Sequence, residues 1–264
     1  MNNAVSISII TINYNNSSGL DKTIQSVINQ TYSNYEYIII DGGSTDDSVD
    51  IIKKYQQYLP YWVSEKDNGI YHAMNKGIRA SKGEYLLMLN SGDYLVDETV
   101  LERVALLGLQ QKIVYGNVIW DDGRKKFNGY FPSNLTFKYF IDHSLGHQAA
   151  FIKRSVHDVV GLYDESLKIV SDWKLFILAI CRFNLTHKHI PISISICSRD
   201  GISCLPSNTQ LINLERQSVL QNEFPLFTND YKEAVLNKKK LNYYQSFILV
   251  RVIRKLKKMI NCRF

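Results

Sequence analysis

The stretch GEYLLMLNSGDYL, Gly83–Leu95, decides how the chain is read. Gly83 marks a return from a helix, an apolar run of strand length follows, and Asn90, Ser91, Gly92 and Asp93 then stop it. Two readings stand at this point. Asn, Ser, Gly and Asp are the commonest turn formers, which makes the ending a plain turn. α/β proteins also bind ligands at the carboxyl ends of their strands, which makes it a ligand site.

The segments before it share this design. VSISIITINYN (5–15) alternates and is rich in β-branched residues, so it reads as a strand ending near Thr11 to Asn13. Leu20, Ile24, Val27 and Ile28 then fall at helical spacing. In YEYIIIDGGSTDDS (35–48) a strand over Ile38–Ile40 stops on Asp41. Ser44 or Thr45 suits the N-cap of the next helix, Asp46 and Asp47 favour its positive end, and Ile52 and Tyr55 should face the core. A third strand near YWVSE (61–65) leads to a helix with Ile70, Met74 and Ile78 on one face. The order β-α-β-α-β-α-β predicts a mainly parallel, Rossmann-like sheet with helices on both faces.

After a short helix near Thr99 to Leu107 the pattern changes. IVYGNVIW, DDGR and KKFNGY predict a β-hairpin with an Asp-Gly turn. Helices are expected over SVHDVVGLYDESL (155–167) and IVSDWKLFILAI (169–180), then a late strand and loop in HIPISISICSRDGIS (189–203). Residues 1–205 are expected to form one domain with halves at 1–110 and 111–205. Residues 206–264 then make a helical C-terminal extension.

Composition narrows the classes. With 45% hydrophobic and 21% charged residues, the 264-residue chain has the makings of a substantial core. No apolar run approaches the roughly 20 residues of a spanning helix. MNNAVSISII lacks a basic leader and reads as a first strand, so a cytosolic protein is expected. Cys181, Cys197, Cys204 and Cys262 form no C-x-x-C pair and read as free thiols. Nine Lys or Arg and no Asp or Glu lie between Ala234 and Phe264, within a net charge of +6. The remainder is close to −3, which argues against a nucleic-acid surface and for one local basic device. Neither G-x-G-x-x-G nor G-x-x-x-x-G-K-[ST] occurs.

Thr11, Asn13, Asp41, Glu65, Asp67, Asn90 and Asp93 all sit at strand ends, which a parallel sheet gathers along one edge. IITINYN, IIIDGGSTDDS, SEKDNGIYHAMNKGIRASKGEYLLMLNSGDYL, GHQAAFIKRS and YDESLKIVSDWKLF, in this order, resemble a family 2 glycosyltransferase of the GT-A fold over roughly residues 5 to 203. The likeness is nearest to the bacterial branch that builds capsule, exopolysaccharide and lipopolysaccharide.

The resemblance implies a nucleotide-diphosphate sugar, UDP-linked, across the first half and an acceptor glycan across the second. It places Thr11 and Asn13 against the nucleoside and gives Asp41 a hydrogen bond from base or ribose. Asp67, Asn75 and Lys76 join the donor wall, with Lys76 facing phosphate. The family's Asp-x-Asp-Asp element corresponds to Asn90-Ser91-Gly92-Asp93, so Asp93 is the implied ligand of Mg²⁺ or Mn²⁺ and Asn90 its neutral neighbour. Asp172 aligns with the catalytic base, His147 and Gln148 with an acceptor- or sugar-facing segment, and Arg199 with a diphosphate contact. Three departures stand out: Gly42-Gly43 for Asp-Gly, Met74 where many members carry Arg, and Ser171 for Glu.

In the tail, Ile248, Leu249, Val252, Ile253, Leu256, Met259 and Ile260 fall on one helical face and Arg251, Arg254, Lys255, Lys257 and Lys258 on the other. Such a helix suits an anionic membrane surface, which fits a peripheral protein of the inner membrane acting on a lipid-linked glycan. A helix packed on protein is the other reading. The reduced metal element keeps a non-catalytic sugar-nucleotide-binding or scaffold subunit in view. A sugar nucleotidyltransferase would need a Gly-rich basic loop that TINYNNSSGL lacks.

Overall fold

The computed structural model describes residues 6–247 together with Val252 and Ile253. By its internal contacts the chain divides into two compact units, 1–215 and 216–264.

The first unit opens with β1 (Ile7–Asn13), whose seven residues are all buried. α1 (Ser17–Ile28) is capped by Asn16, whose Oδ1 accepts from the Gly19 N–H at 3.2 Å. Next come β2 (Tyr35–Asp41), α2 (Ser48–Lys54), β3 (Tyr61–Ser64), α3 (Ile70–Ala80) and β4 (Tyr85–Met88). Strands β3, β2, β1 and β4 lie side by side and parallel, as the sequence pattern requires. Ile9 joins the core cluster with Leu20, Ile24 and Ile52 of α1 and α2, whereas Ile10 meets α3 at Gly77. Alternate strand residues point to opposite faces, so helices cover both. A Cβ on Gly77 would lie only 2.3 Å from Ile10 Cγ2, and this contact seats α3 on the sheet.

The chain continues through β5 (Tyr94–Leu95), α4 (Val100–Leu107) and the hairpin of β6 (Ile113–Asp121) with β7 (Lys126–Gly129). Then follow α5 (Phe137–Asp142), a 3₁₀ turn at His147–Ala149, β8 (Ala150–Lys153), α6 (Val156–Val160), α7 (Ser171–Ile177) and β9 (His187–Ser198). The sheet extends from β4 to antiparallel β8, then β6, β9 and β5. β6 and β9 run parallel with a register shift near Asn117. There the Gly116 position approaches the Ile192 carbonyl so closely that a Cβ would sit 2.6 Å from it.

Two local expectations are corrected. α2 begins at Ser48 with Asp47 at its N-cap, because Ser44 is engaged by Asp41 and the Thr45 N–H by Asn15. Tyr55 closes α2 half-buried and packs against the core cluster as expected, its hydroxyl donating to Asp21 at 3.0 Å. The helix expected over 155–167 stops at Val160, since Gly161 adopts a positive φ of 95° and Asp164 then folds a turn onto Ser166. α7, by contrast, runs on as one π-helical turn to Arg182.

Cys181, Cys197 and Cys204 are free; Cys262 lies outside the described residues. α8 (Thr209–Glu223) precedes α9 (Pro225–Ser246), and in the second unit the Thr228 hydroxyl donates to the carbonyls of Leu220 and Phe224. Val252 and Ile253 are helical and exposed, while the other residues of the expected amphipathic face lie outside the described residues. Among the described residues, no helix is long and apolar enough to cross a membrane.

Candidate active site

Strand register builds the first part of the site. Asn13, Asp41 and Ser64 are direct neighbours across β1, β2 and β3, so their side chains form a row at the carboxyl edge. Asp41 is wholly buried and saturated. Oδ1 accepts from Asn13 Nδ2 (2.7 Å) and Ser44 Oγ (2.6 Å), and Oδ2 from Ser64 Oγ (2.6 Å) and the Ser44 N–H (2.9 Å). Burial works to raise its pKa, but the Ser44, Ser64 and Asn13 donors outweigh it and hold the carboxyl below its usual range. A nucleobase bond to Asp41 therefore has to displace one of these donors.

Above this row lie unsatisfied acceptors. Asn13 Oδ1 and Asp67 Oδ2 are buried without a hydrogen-bond partner. Asp67 Oδ1 meets His72 Nδ1 at 3.1 Å and Lys76 Nζ at 2.5 Å, and Lys76 also reaches Glu65 at 2.7 Å. Lys76 is thus ion-paired to the donor wall. Burial opposes its charge, yet Asp67 and Glu65 prevail and raise its pKa. A side chain at Gly42 would crowd Asp67 Oδ2 (3.2 Å), the exposed Tyr14 ring (3.3 Å) and the Asn13 carbonyl (3.5 Å). The glycine at this departure from the family pattern leaves that corner open.

Two expectations about this wall are corrected. Thr11 sits two residues short of the edge, opposite Ile39, wholly buried with its hydroxyl 3.0 Å from the Tyr37 hydroxyl, so its side chain belongs to the core. Asn75 gives both amide hydrogens to the chain, to the Tyr163 carbonyl (2.9 Å) and Glu165 Oε1 (2.7 Å), and accepts from the Tyr163 N–H (3.0 Å). It holds a loop of the second half and has no donor left for a sugar.

The second part surrounds His147 and Gln148. Gln148 Nε2 donates to Asp93 Oδ2 at 3.0 Å, and the Ser198 N–H donates to Asp93 Oδ1 at 3.0 Å. His147 Nδ1 lies 3.1 Å from Asp172 Oδ2, and His147 Nε2 lies 3.2 Å from Asn90 Nδ2. With the Asn90 amide nitrogen turned towards Nε2, Nε2 accepts and Nδ1–H donates to Asp172. Asp93 and Asp172 are therefore held by consecutive residues of one 3₁₀ turn. The single Tyr71 O–H proton is shared between the Ile169 carbonyl at 2.5 Å and Asp172 Oδ1 at 3.2 Å.

The two carboxyls differ electrically. Burial pushes Asp93 up to about 6 against the opposing Gln148 bond, His147 and the Ser198 N–H. Burial works on Asp172 in the same direction, but His147, the Trp173 N–H and Tyr71 bring it below its ordinary value. Asp172 is ionised at neutral pH and its side chain stays 19% exposed. Arg199 stands apart: its exposed guanidinium lies over the Phe127 ring at 5.6 Å, one residue beyond Ser198.

Donor chemistry tests whether a metal ion fits this site. Among the described residues no three His, Cys, Asp or Glu side chains gather into a metal cage. Each Asp93 oxygen accepts one hydrogen bond and retains a lone pair, and Asn90 Oδ1 is buried without a partner. This set fits a divalent ion that brings most of its oxygen ligands with it.

Tyr71 and Ser198 went unmarked in the sequence. Tyr71 reads there as one more apolar helix residue, and Ser198 acts through a backbone N–H that every residue type except proline carries.

A parallel half joined to antiparallel strands, with a second carboxylate at the start of helix α7, is the architecture of the GT-A glycosyltransferases. TarS 1–349 of S. aureus, solved in complex with UDP, superimposes with a TM-score of 0.60 at 17% identity over 73% of this chain and 60% of that one. The chain thus spans about 60% of that 1–349 chain and 36% of the longer TarS chain. The mannosyltransferase PcManGT from Pyrobaculum calidifontis, in complex with GDP-Man and Mn²⁺, gives a TM-score of 0.57 at 15% identity over 75% of this chain and 57% of its own.

The family model "Glycosyl transferase family 2" matches residues 8–160, and the chain belongs to that family. It is a glycosyltransferase. A PGL/p-HBAD biosynthesis glycosyltransferase of Mycobacterium bovis (strain BCG / Pasteur 1173P2) is 28% identical over 222 residues, 77% of this chain and 85% of that protein. An uncharacterized glycosyltransferase of Mycobacterium tuberculosis (strain ATCC 25618 / H37Rv) is 29% identical over 98% of this chain and its own full length.

Proposed function

We propose an inverting, metal-dependent transfer of a hexosyl or N-acetylhexosaminyl group from a nucleotide-diphosphate sugar to a hydroxyl of a glycan acceptor. The observation that carries this reading is the pair of hydrogen bonds from His147 and Gln148. One short turn thus holds both Asp172 and Asp93, the two carboxyls that this reading brings to a single anomeric carbon.

In this reading Asp172 accepts the acceptor's proton. Its low pKa keeps it ionised but makes it a weak base, so the proton moves late, as the new glycosidic bond forms. Asp93 and Asn90 would hold Mg²⁺ or Mn²⁺, which neutralises charge on the departing diphosphate. The exposed Arg199, over the Phe127 ring, would meet that diphosphate. UDP is the favoured carrier: Asn13 Oδ1 and Asp67 Oδ2 are buried acceptors that a base N–H satisfies, and the exposed Tyr14 ring offers a stacking face.

The acceptor is proposed to be a lipid-linked glycan of bacterial surface polysaccharide synthesis, met at the cytosolic face of the inner membrane. The basic tail motivates that placement. Residues 1–205 would be the transferase domain and 206–264 its extension.

The absence of a three-ligand cage among the described residues favours one rival, a non-catalytic sugar-nucleotide-binding subunit. Thermal shift with UDP- and GDP-sugars, with and without Mn²⁺, combined with donor hydrolysis, separates the two. Stabilisation by a UDP-sugar together with metal-dependent release of UDP is expected. Binding without any release under those conditions overturns the enzymatic reading.

A further inference from the structure

Helix α3 touches both parts of the site with different faces. His72 and Lys76, one turn apart, meet Asp67 on the donor wall. Tyr71 and Asn75, also one turn apart, meet the segment that carries the base. Residues i and i+4 share a helix face, so the helix presents two neighbouring stripes, one to each half of the site.

The Tyr71–Asn75 stripe is committed to the chain. Asn75 forms three hydrogen bonds to Tyr163 and Glu165, 88 and 90 residues away. Tyr71 is buried, ties down the Ile169 carbonyl and touches Asp172 Oδ1. Its ring packs on Tyr163 with centroids 5.6 Å apart, which joins the two contacts into one unit. From the other side, the Glu215 carboxylate accepts from the N–H groups of Lys168 (2.7 Å), Ile169 (3.1 Å) and Val170 (3.2 Å), just before α7 begins. The segment needs such ties, since after Gly161 it holds no regular structure until Ser171.

We propose that Tyr71 and Asn75 are positioning residues that clamp segment 163–172 to α3, fixing the Asp172 carboxylate relative to the donor wall carried by the same helix. Tyr71 occupies one lone pair of Oδ1 and His147 one of Oδ2, so the carboxylate cannot rotate without breaking both bonds. A lone pair on each oxygen remains for the acceptor hydroxyl. The catalytic part of this inference rests on the transferase reading above; the clamp itself does not.

The test has two independent readouts on the full chain. Amide hydrogen exchange over residues 163–172 is compared between wild type, Tyr71→Phe and Asn75→Ala. Exchange about tenfold faster in that segment, with core strands β1 and β4 unchanged, is expected for Asn75→Ala; unchanged exchange there overturns the clamp. In donor turnover, Tyr71→Phe should lower kcat about tenfold at unchanged donor KM. Added to Asp172→Asn it should cost nothing further, because the group it positions is gone. A full additional loss in the double variant, or an undiminished kcat in Tyr71→Phe, overturns the positioning role. Wild-type protein that releases no nucleotide from any donor defeats the transferase reading, and with it the positioning role, while hydrogen exchange still decides the clamp.

Discussion

Asp41 and Asp93 are both buried carboxylates that follow parallel strands, and they titrate in opposite directions. Asp41 collects four hydrogen bonds and is held below its ordinary pKa. Asp93 collects two and is pushed up to about 6. The difference is donor supply. A saturated carboxylate is at rest as an anion and braces the strand ends around it. An undersupplied one carries a buried charge that a cation relieves.

The largest expected effect lies across the site from both. Asp172→Asn should cut kcat about 10³-fold, since general-base contributions run from about 10² to 10⁴. Steady-state turnover with parallel donor binding checks this, and the donor Kd should not move.

Exchanging each aspartate for asparagine then sharpens the contrast. Asp41→Asn turns an NH₂ group towards protein donors and should destabilise the fold by about 3 kcal/mol in urea at pH 7. Asp93→Asn removes an under-compensated buried charge, and the Gln148 amide turns so that its Oε1 accepts from the new NH₂; the exchange should stabilise the fold by about 2 kcal/mol while abolishing metal-dependent turnover. A destabilised Asp93→Asn protein would erase the distinction.

pH separates the pair by sign. Asp41 has a lowered native pKa, so its contribution is complete above the ordinary carboxylate value near 4 and is lost as pH falls through its lower native value. Asp93 has a raised native pKa. Its folded form binds the extra proton between about 4 and about 6, so stability falls as pH rises through that window and is flat above it. Urea midpoints from pH 4 to 7 should show this decline in wild type and not in Asp93→Asn. A smaller effect concerns the ion. Mn²⁺ alone should shift the melting temperature by less than a degree, and Mn²⁺ with UDP by several degrees, because the protein supplies too few ligands without the diphosphate.

The same contrast explains what was legible in the sequence. Parallel strands buried on both faces read as apolar runs ending on polar residues, so β1, β2 and β4 and the positions of Asp41 and Asp93 stand out, while β3 with Asp67 beyond it is a part-exposed edge strand. The segments around His147, Gln148 and Asp172 are recognisable because each retains its residue order. Whether a strand-end residue faces a ligand or the core depends on a two-residue step, and Thr11 falls on the core side of it. Asn75 looks like a ligand contact until its partners, 88 residues on, are known. The register shift of β6 against β9 depends on the approach of Gly116 to the Ile192 carbonyl, which no periodicity encodes.

The central claim is that Asp93 and Asp172 serve opposite sides of one reacting bond. Titration of a UDP-sugar into wild type, Asp93→Asn and Asp172→Asn, with and without Mn²⁺ and with turnover measured on the same samples, tests it directly. Expected is that Asp93→Asn loses the Mn²⁺-dependent gain in donor affinity, whereas Asp172→Asn keeps it and loses transfer. Full metal-dependent binding in Asp93→Asn, or wild-type transfer by Asp172→Asn, would contradict it.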